Sequence, residues 1–306
     1  MFKDIIGQTE AKSRLKFYAE SHAITGVVPP LLFQGPKGVG KTSLVRAFSK
    51  ELCIARGKKH MEINASTIKN NKQFFSNIMP QIQDGDWVIF LDESHQIPYD
   101  LQQDFLTIFN TESTDKISYG FGGQTYDFDF SRLSFIAATT DSQKLVGPLR
   151  DRFTVVDFSE YKKEELCQIL SGAAKVNDTP ITFDDNLLEE VVYTCRGNPR
   201  SCVKMAKDIG RYCDSYGATH FDAGSWEDLK DVLGVKPMGL TNDELQVLRI
   251  LKERGPCTLQ TLVGASTQTR AFVQNVLEPF LLKNNLIKIE GAPVRREITP
   301  KGISIL

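Results

Sequence analysis

The stretch LLFQGPKGVGKTSLVRAF, Leu31 to Phe48, constrains this chain more than any other. Its centre, GPKGVGKT, matches the pattern G-x-x-x-x-G-K-[ST] at every defined position from Gly35 to Thr42. A short apolar run precedes it, and Leu44, Val45, Phe48 and Leu52 follow at helical spacing. Strand, glycine turn, helix is the local order in which backbone N–H groups converge on phosphate oxygens at a helix N-terminus. Lys41 is expected to reach the β- and γ-phosphates of a nucleoside triphosphate, and the Thr42 hydroxyl to bind Mg²⁺.

A buried strand feeding such a loop implies a parallel sheet, and the sequence supplies more strands. HMEINAS and DWVIFLDE are candidates, the second a continuous apolar run of the kind covered on both faces. RLSFIAATT is a third, and KISYGFGGQTYDFDF alternates about Gly122 and Gly123 as a β-hairpin does. From Ser159 the pattern turns helical, and GVKPMG, Gly234 to Gly239, reads as a linker. Beyond it lie three helical segments and a strand pair, LIKIEGAPVRREITP, the order of a winged helix.

The 306 residues suffice for two or three domains at roughly 100–150 residues each. A hydrophobic share of 41% and a charged share of 25% are ordinary for a globular protein. No apolar run reaches the ~18 residues of a membrane span, no signal peptide opens the chain, and the six cysteines form no C-x-x-C pair. A cytoplasmic protein with reduced thiols is expected. Net charge is −1, yet Leu240 to Leu306 carries nine Lys and Arg against six Asp and Glu, a modest basic bias at one end.

VIFLDE delivers Asp92 and Glu93 to the carboxyl edge of its strand, where ligands of open α/β sheets bind. Asp92 is expected to hold Mg²⁺ through water, and Glu93 to orient and polarise the attacking water. The strand end at Thr139 and Thr140 would hydrogen-bond the γ-phosphate or that water. GPLRDRF places Arg150 and Arg152 around an aspartate, the pattern of an arginine finger reaching a neighbouring subunit's phosphate. GNPR starts a helix at Pro199, with Arg200 in its first turn.

GPKGVGKT, VIFLDESH, AATT, GPLRDRF and GNPR, in that order, resemble the AAA+ ATPases, and IIGQ, FLDESHQ, PLRDRF and VLEPFL narrow the resemblance to the RuvB family. It runs from Ile5 nearly to the C-terminus. It implies an α/β fold in three parts: an AAA+ P-loop domain over 1–157, in which helices flank a parallel sheet, a helical lid over 158–235, and a winged helix over 240–306. It implies ATP and Mg²⁺ as ligands, with the nucleotide held by Gly35, Gly38, Gly40, Lys41, Thr42 and Ser43. Ile5, Ile6, Tyr161 and Pro199 would approach the base. Glu93, Lys41 and Asp92 would carry catalysis with Thr140 (before Thr139) as sensor 1, Arg152 (before Arg150) as the finger and Arg200 as sensor 2.

The family migrates the branches of Holliday junctions by pulling duplex DNA through a hexameric ring. The resemblance therefore implies duplex or four-way junction DNA and further copies of the chain as partners, and Arg295 and Arg296 of the wing on DNA phosphates. The hairpin at 116–130 matches the one that docks on a RuvA-like partner, with Ile117, Tyr119 and Phe121 as an exposed apolar patch. The alternative is an ATP-switched loader or replication initiator without processive translocation. Four features depart from the family. The chain begins without the segment that usually precedes GQ, Lys37 replaces a proline, Ser94 and Gln96 replace an apolar and a basic residue, and the hairpin sequence differs.

Overall fold

The computed structural model describes residues 1–83, 85–110 and 116–306. The chain divides into two compact units, Met1–Ala173 with Gly197–Ala206, and Ala174–Arg196 with Lys207–Leu306. Among the described residues no helix is long and apolar enough to cross a membrane.

The first unit is built on seven strands: β1 (Leu31–Gln34), β2 (Lys59–Asn64), β3 (Trp87–Asp92), β4 (Lys116–Phe121), β5 (Gln124–Asp129), β6 (Leu133–Thr139) and β7 (Thr154–Asp157). Five of them form one parallel sheet in the order β2-β3-β6-β1-β7. Strand alternation sorts its side chains. Leu31, Phe33, Val88, Phe90, Ile136 and Ala138 face one way, onto helices α1 (Thr9–Thr25) and α2 (Lys41–Arg56). Leu32, Ile89, Leu91, Phe135 and Ala137 face the other, onto Phe74, Phe75 and Phe105. Both faces are covered, which is why β3 and β6 read as continuous apolar runs. The anticipated α2 stripe of Leu44, Val45, Phe48 and Leu52 is fully buried, each side chain contributing about 1.5–3 kcal/mol.

The hairpin forms as its alternation predicts. Phe121 pairs with Gln124 across a two-residue turn in which Gly122 and Gly123 take φ of 59° and 82°. Two successive positive φ values make the tight hairpin turn that matches strand twist. The anticipated exposed patch is not there. Tyr119 and Phe121 stack on Phe75, with ring centroids 5.5 Å and 4.4 Å away, and Tyr119 donates to Asp104 Oδ1 at 2.6 Å. Ile117 lies opposite Phe128, which is fully buried. Period-2 alternation gathers these residues on one face, where Tyr119 and Phe121 pack against the unit's own core and all three are half-buried. The opposite face, with Ser118, Thr125 and Asp127, and the turn are exposed to water.

Phe74 and Phe75 can both point inward because the helix carrying them widens into a π turn over Phe74–Ile78. Pro80, two residues beyond that turn, lacks the N–H of a normal helical bond, the kind of site at which helices bulge.

The second unit contains an aromatic cluster, Phe183, Tyr212, Phe221 and Trp226. It then runs through the linker to helices Asn242–Arg254 and Leu259–Ser266, a helical run over 270–283 and an antiparallel ribbon of Ile287–Glu290 with Arg295–Ile298. Thr241 and Glu244 close a capping box on the first of these helices. Leu248, Leu262, Val273, Leu281 and Leu286 fill the core beneath them. A single antiparallel bridge pairs Cys257 with Arg296 beside this ribbon. This is the expected winged helix.

Phe75→Ala removes the ring on which three hairpin aromatics rest. It is expected to cost about 3–5 kcal/mol in urea unfolding. A loss under 1 kcal/mol would mean the hairpin does not depend on this contact.

Candidate active site

The glycine loop follows β1 and ends at the start of α2. Gly38 and Gly40 take φ of 87° and 91°, values that a side chain rarely adopts. Gly38 is tight as well as strained, since a Cβ there would sit 2.4 Å from Asn198 Oδ1. Lys41 turns back into the curve and donates to the carbonyls of Gly35 and Pro36 at 2.7 Å and 2.8 Å. Burial lowers its pKa from the ordinary lysine value. Glu93 and Asp92 pull it back up, and Arg200 adds a smaller lowering.

The acids arrive beside it at the end of β3, Asp92 as its last residue and Glu93 just beyond. Asp92 accepts the Thr42 hydroxyl at 3.3 Å through one oxygen and the Glu93 N–H at 2.9 Å through the other. A carboxylate and a hydroxyl facing each other are hard oxygen donors, the set that Mg²⁺ takes alongside phosphate oxygens. Thr42 and Asp92 therefore fit the ion expected from the sequence. Glu93 adopts φ 51° and ψ 44°, a left-handed conformation that costs a non-glycine residue about 1–2 kcal/mol.

These groups line a cleft of about 310 Å³ with Lys37, Ser43, Thr140, Pro199 and Arg200. The two threonines part company here. Thr140 is exposed on the cleft, whereas Thr139 is fully buried, 3.1 Å from His95 Nδ1 through its hydroxyl and accepting the Asp141 N–H at 2.9 Å. Lys37, whose direction the sequence left open, is an exposed residue of the cleft wall.

Two chain segments close around the loop. Tyr161 donates its hydroxyl to the Val39 carbonyl at 3.0 Å, and its ring lies so near Gly7 that a Cβ there would come within 2.9 Å. Gln8 ties the same corner by exchanging hydrogen bonds with the Ser159 backbone at 2.9 Å and 3.1 Å. Ile5 packs against the α1–α2 core, with Lys12 donating to its carbonyl, and Ile6 is half-buried. On the other side Asn198 donates to the Lys37 carbonyl at 3.1 Å and accepts the Arg200 N–H at 2.9 Å. The Arg200 N–H also reaches the Gly38 carbonyl at 3.3 Å. Sequence reasoning passed over Asn198 and His95. Each sits within a motif already singled out, GNPR and DESH, and that adjacency was the available signal.

Arg150 and Arg152 do not line this cleft. Both are half-buried. Arg152 donates to the Pro148 carbonyl at 2.9 Å, and its Nε is buried without a partner among the described residues.

The wing requires a correction. Arg295 is exposed, but Arg296 is 7% exposed and grips Glu278 through Nε at 2.8 Å and Nη2 at 3.3 Å. Glu278 is itself buried, and the Arg296 backbone pairs with Cys257. A guanidinium that is buried and neutralised by a buried carboxylate is not presented to DNA phosphate, so Arg296 holds the fold together.

Two family models match the chain: the Holliday junction DNA helicase RuvB P-loop domain over residues 1–158 and the RuvB C-terminal winged helix domain over residues 237–306. The Holliday junction branch migration complex subunit RuvB of Ehrlichia ruminantium (strain Gardel) is 29% identical, covering 100% of this chain and 91% of its own. That of Campylobacter hominis is 28% identical over 100% of this chain and 88% of its own. Among solved structures, the Thermotoga maritima RuvB branch migration motor shares the fold with TM-score 0.74, at 22% identity over 98% of this chain and 94% of that one. The Aeropyrum pernix ORC2 protein shares it more distantly, with TM-score 0.57 and 14% identity over 95% and 89%.

Gly38→Ala introduces both the forbidden φ and the clash with Asn198. It is expected to weaken binding of a fluorescent ATP analogue at least about tenfold, and adding Asn198→Ala should restore only part of that, because the φ cost remains. Glu278→Ala strands the Arg296 charge and is expected to cost about 3–5 kcal/mol in denaturant unfolding. A change within 0.5 kcal/mol would refute the structural role of this pair.

Proposed function

The chain belongs to the RuvB family, and on that premise we propose that it is an ATP-driven motor that migrates Holliday junction branches by pulling duplex DNA through an oligomeric ring. The observation that carries this reading is the convergence of Lys41, Thr42, Asp92 and Glu93 on one cleft. A loop alone would bind nucleotide. A carboxylate beyond the Mg²⁺ donors adds the means to hydrolyse it.

In this reading Lys41 and the N–H groups around Gly35, Gly38 and Gly40 hold the phosphates, with Ser43 at the helix start. Thr42 and Asp92 hold Mg²⁺, which when bound neutralises charge on the phosphate oxygens. Glu93 orients the attacking water and accepts its proton. Thr140 and Arg200 face the γ-phosphate from β6 and from the helix that Pro199 begins. Ile5, Ile6, Tyr161 and Pro199 border the base. Arg152 does not line its own chain's cleft, which suits a finger offered to the next subunit of a hexameric ring, and Arg150 takes the structural part.

The chemistry belongs to a P-loop domain over 1–157, with a lid over 158–235 and a winged helix over 240–306. In that last domain Arg295 meets the DNA backbone, giving sequence-independent, salt-sensitive contact. A RuvA-like junction-binding protein docking on the hairpin would meet Ser118, Thr125 and Asp127. The setting of this work is the cytoplasm.

Junction-stimulated ATP hydrolysis by the assembled protein tests the reading. Lys41→Ala is expected to abolish it, Glu93→Gln to lower kcat about 10²–10⁴-fold, and Arg152→Ala to lower it about 10³-fold or more. Normal hydrolysis by assembled Arg152→Ala would sink the trans finger. Single-molecule tracking separates a motor from an initiator of the ORC2-like fold, since ATP-dependent movement of the crossover supports the first and static occupancy the second.

A further inference from the structure

Glu93 is the group on which hydrolysis rests, yet its own backbone does not dictate where its carboxylate points. Among the described residues the side chain that pairs with that carboxylate is His95, whose Nδ1 lies 3.5 Å from Glu93 Oε2. The same nitrogen lies 3.1 Å from the Thr139 hydroxyl. His95 is well enclosed, with 11% of its side chain exposed against 33% for Glu93. Thr139 cannot drift, because it ends β6, is fully buried and accepts the Asp141 N–H at 2.9 Å. One ring nitrogen thus has a fixed oxygen on one side and the reactive carboxylate on the other.

We propose that His95 is a positioning residue, its imidazole tying the Glu93 carboxylate to the Thr139 hydroxyl. The tether requires the proton on Nδ1: the N–H donates to the Thr139 hydroxyl oxygen at 3.1 Å, and the Glu93 carboxylate, at 3.5 Å and beyond a full hydrogen bond, is drawn to the same N–H more loosely. Thr140, the next residue, lines the cleft. A displacement of the end of β6 is therefore passed through one ring to the base, and the orientation of Glu93 follows the contact that Thr140 makes. Glu93 sits on a left-handed turn and Ser94–Gln96 coil tightly behind it, so the ring and the carboxylate belong to one short, stiff segment. The tether acts on the turnover step and not on nucleotide affinity, because neither His95 nor Thr139 lines the cleft.

This inference rests on Glu93 serving as the base, and the test separates the two. ATP hydrolysis by the full chain is measured with a four-way junction, alongside binding of a fluorescent ATP analogue and thermal melting. His95→Ala is expected to lower kcat on the order of tenfold or more, with KM and analogue affinity within twofold of wild type. His95→Asn, whose amide reaches the place of Nδ1, is expected to recover most of the loss. Thr139→Val is expected to reproduce the kcat effect alone, and on a Glu93→Gln background His95→Ala is expected to add nothing. Should His95→Ala melt early, His95→Asn against Thr139→Val carries the comparison. Unchanged kcat in His95→Ala, equal effects on kcat and KM, or an undiminished effect in the Glu93→Gln background would overturn the tether while leaving hydrolysis by Glu93 intact. A wild type that does not hydrolyse ATP, or a fully active Glu93→Gln, overturns the base assignment and the tether with it.

Discussion

The parallel register of β1, β3 and β6 is the constraint from which the site follows. Gln34 lies beside Thr139, and Leu91 beside Ala137, so the carboxyl ends of the three strands finish at nearly one level. The glycine loop, the acid pair and the threonines are thereby delivered to a single edge. Strand alternation protects this register. A slip of one residue would turn Leu31, Phe33, Val88 and Phe90 from the α1–α2 core to the opposite face. The apolar cores on the two sides are therefore what keep Lys41, Asp92 and Thr140 together.

The cleft is finished by segments far away in sequence, and the loop's glycines are what admit them. Asn198 approaches Gly38 and Tyr161 approaches Gly40 closely enough that side chains at those glycines would collide with them or crowd them. Both partners bond loop carbonyls, at Lys37 and Val39. The N–H groups of the loop, by contrast, are the donors that phosphate requires. Capping carbonyls from outside stiffens the loop without spending the donors, so the second layer of the site prepares the first.

What was legible in the sequence was what local pattern encodes. GPKGVGKT, the apolar runs of β3 and β6, the α2 stripe and the Gly122–Gly123 turn all state their conformation within a few residues. Alternation also said that Ile117, Tyr119 and Phe121 share a face. It could not say what covers that face, because Phe75 and Asp104 lie on other elements. Arg295 and Arg296 fail in the same way. Neighbours on a strand point to opposite faces, so at most one could face DNA. Only the pairing of Arg296 with Glu278, 18 residues away, settles which. His95 and Asn198 escaped because their meaning is a distance to Thr139 and to Lys37, not a spacing.

The costs in this molecule are also distributed unevenly. Glu93 holds a left-handed backbone, and the next residue, Ser94, buries a hydroxyl with no partner among the described residues. Arg152 buries an Nε with no partner among the described residues. Unpaired atoms occur elsewhere too, at His22, Ser49 and Asp104, so burial alone is no signature of function. The distinction lies in what the rest of each group does. Among the described residues the Arg152 guanidinium makes one bond, to a carbonyl four residues back, and meets no carboxylate, whereas Arg296 is paired with the buried carboxylate of Glu278 through two hydrogen bonds. An arginine whose charge is neutralised by a buried carboxylate of its own chain has finished its work there. One that is only steadied keeps its capacity for an anion from outside, and that difference assigns Arg296 to the fold and is consistent with the finger role proposed for Arg152.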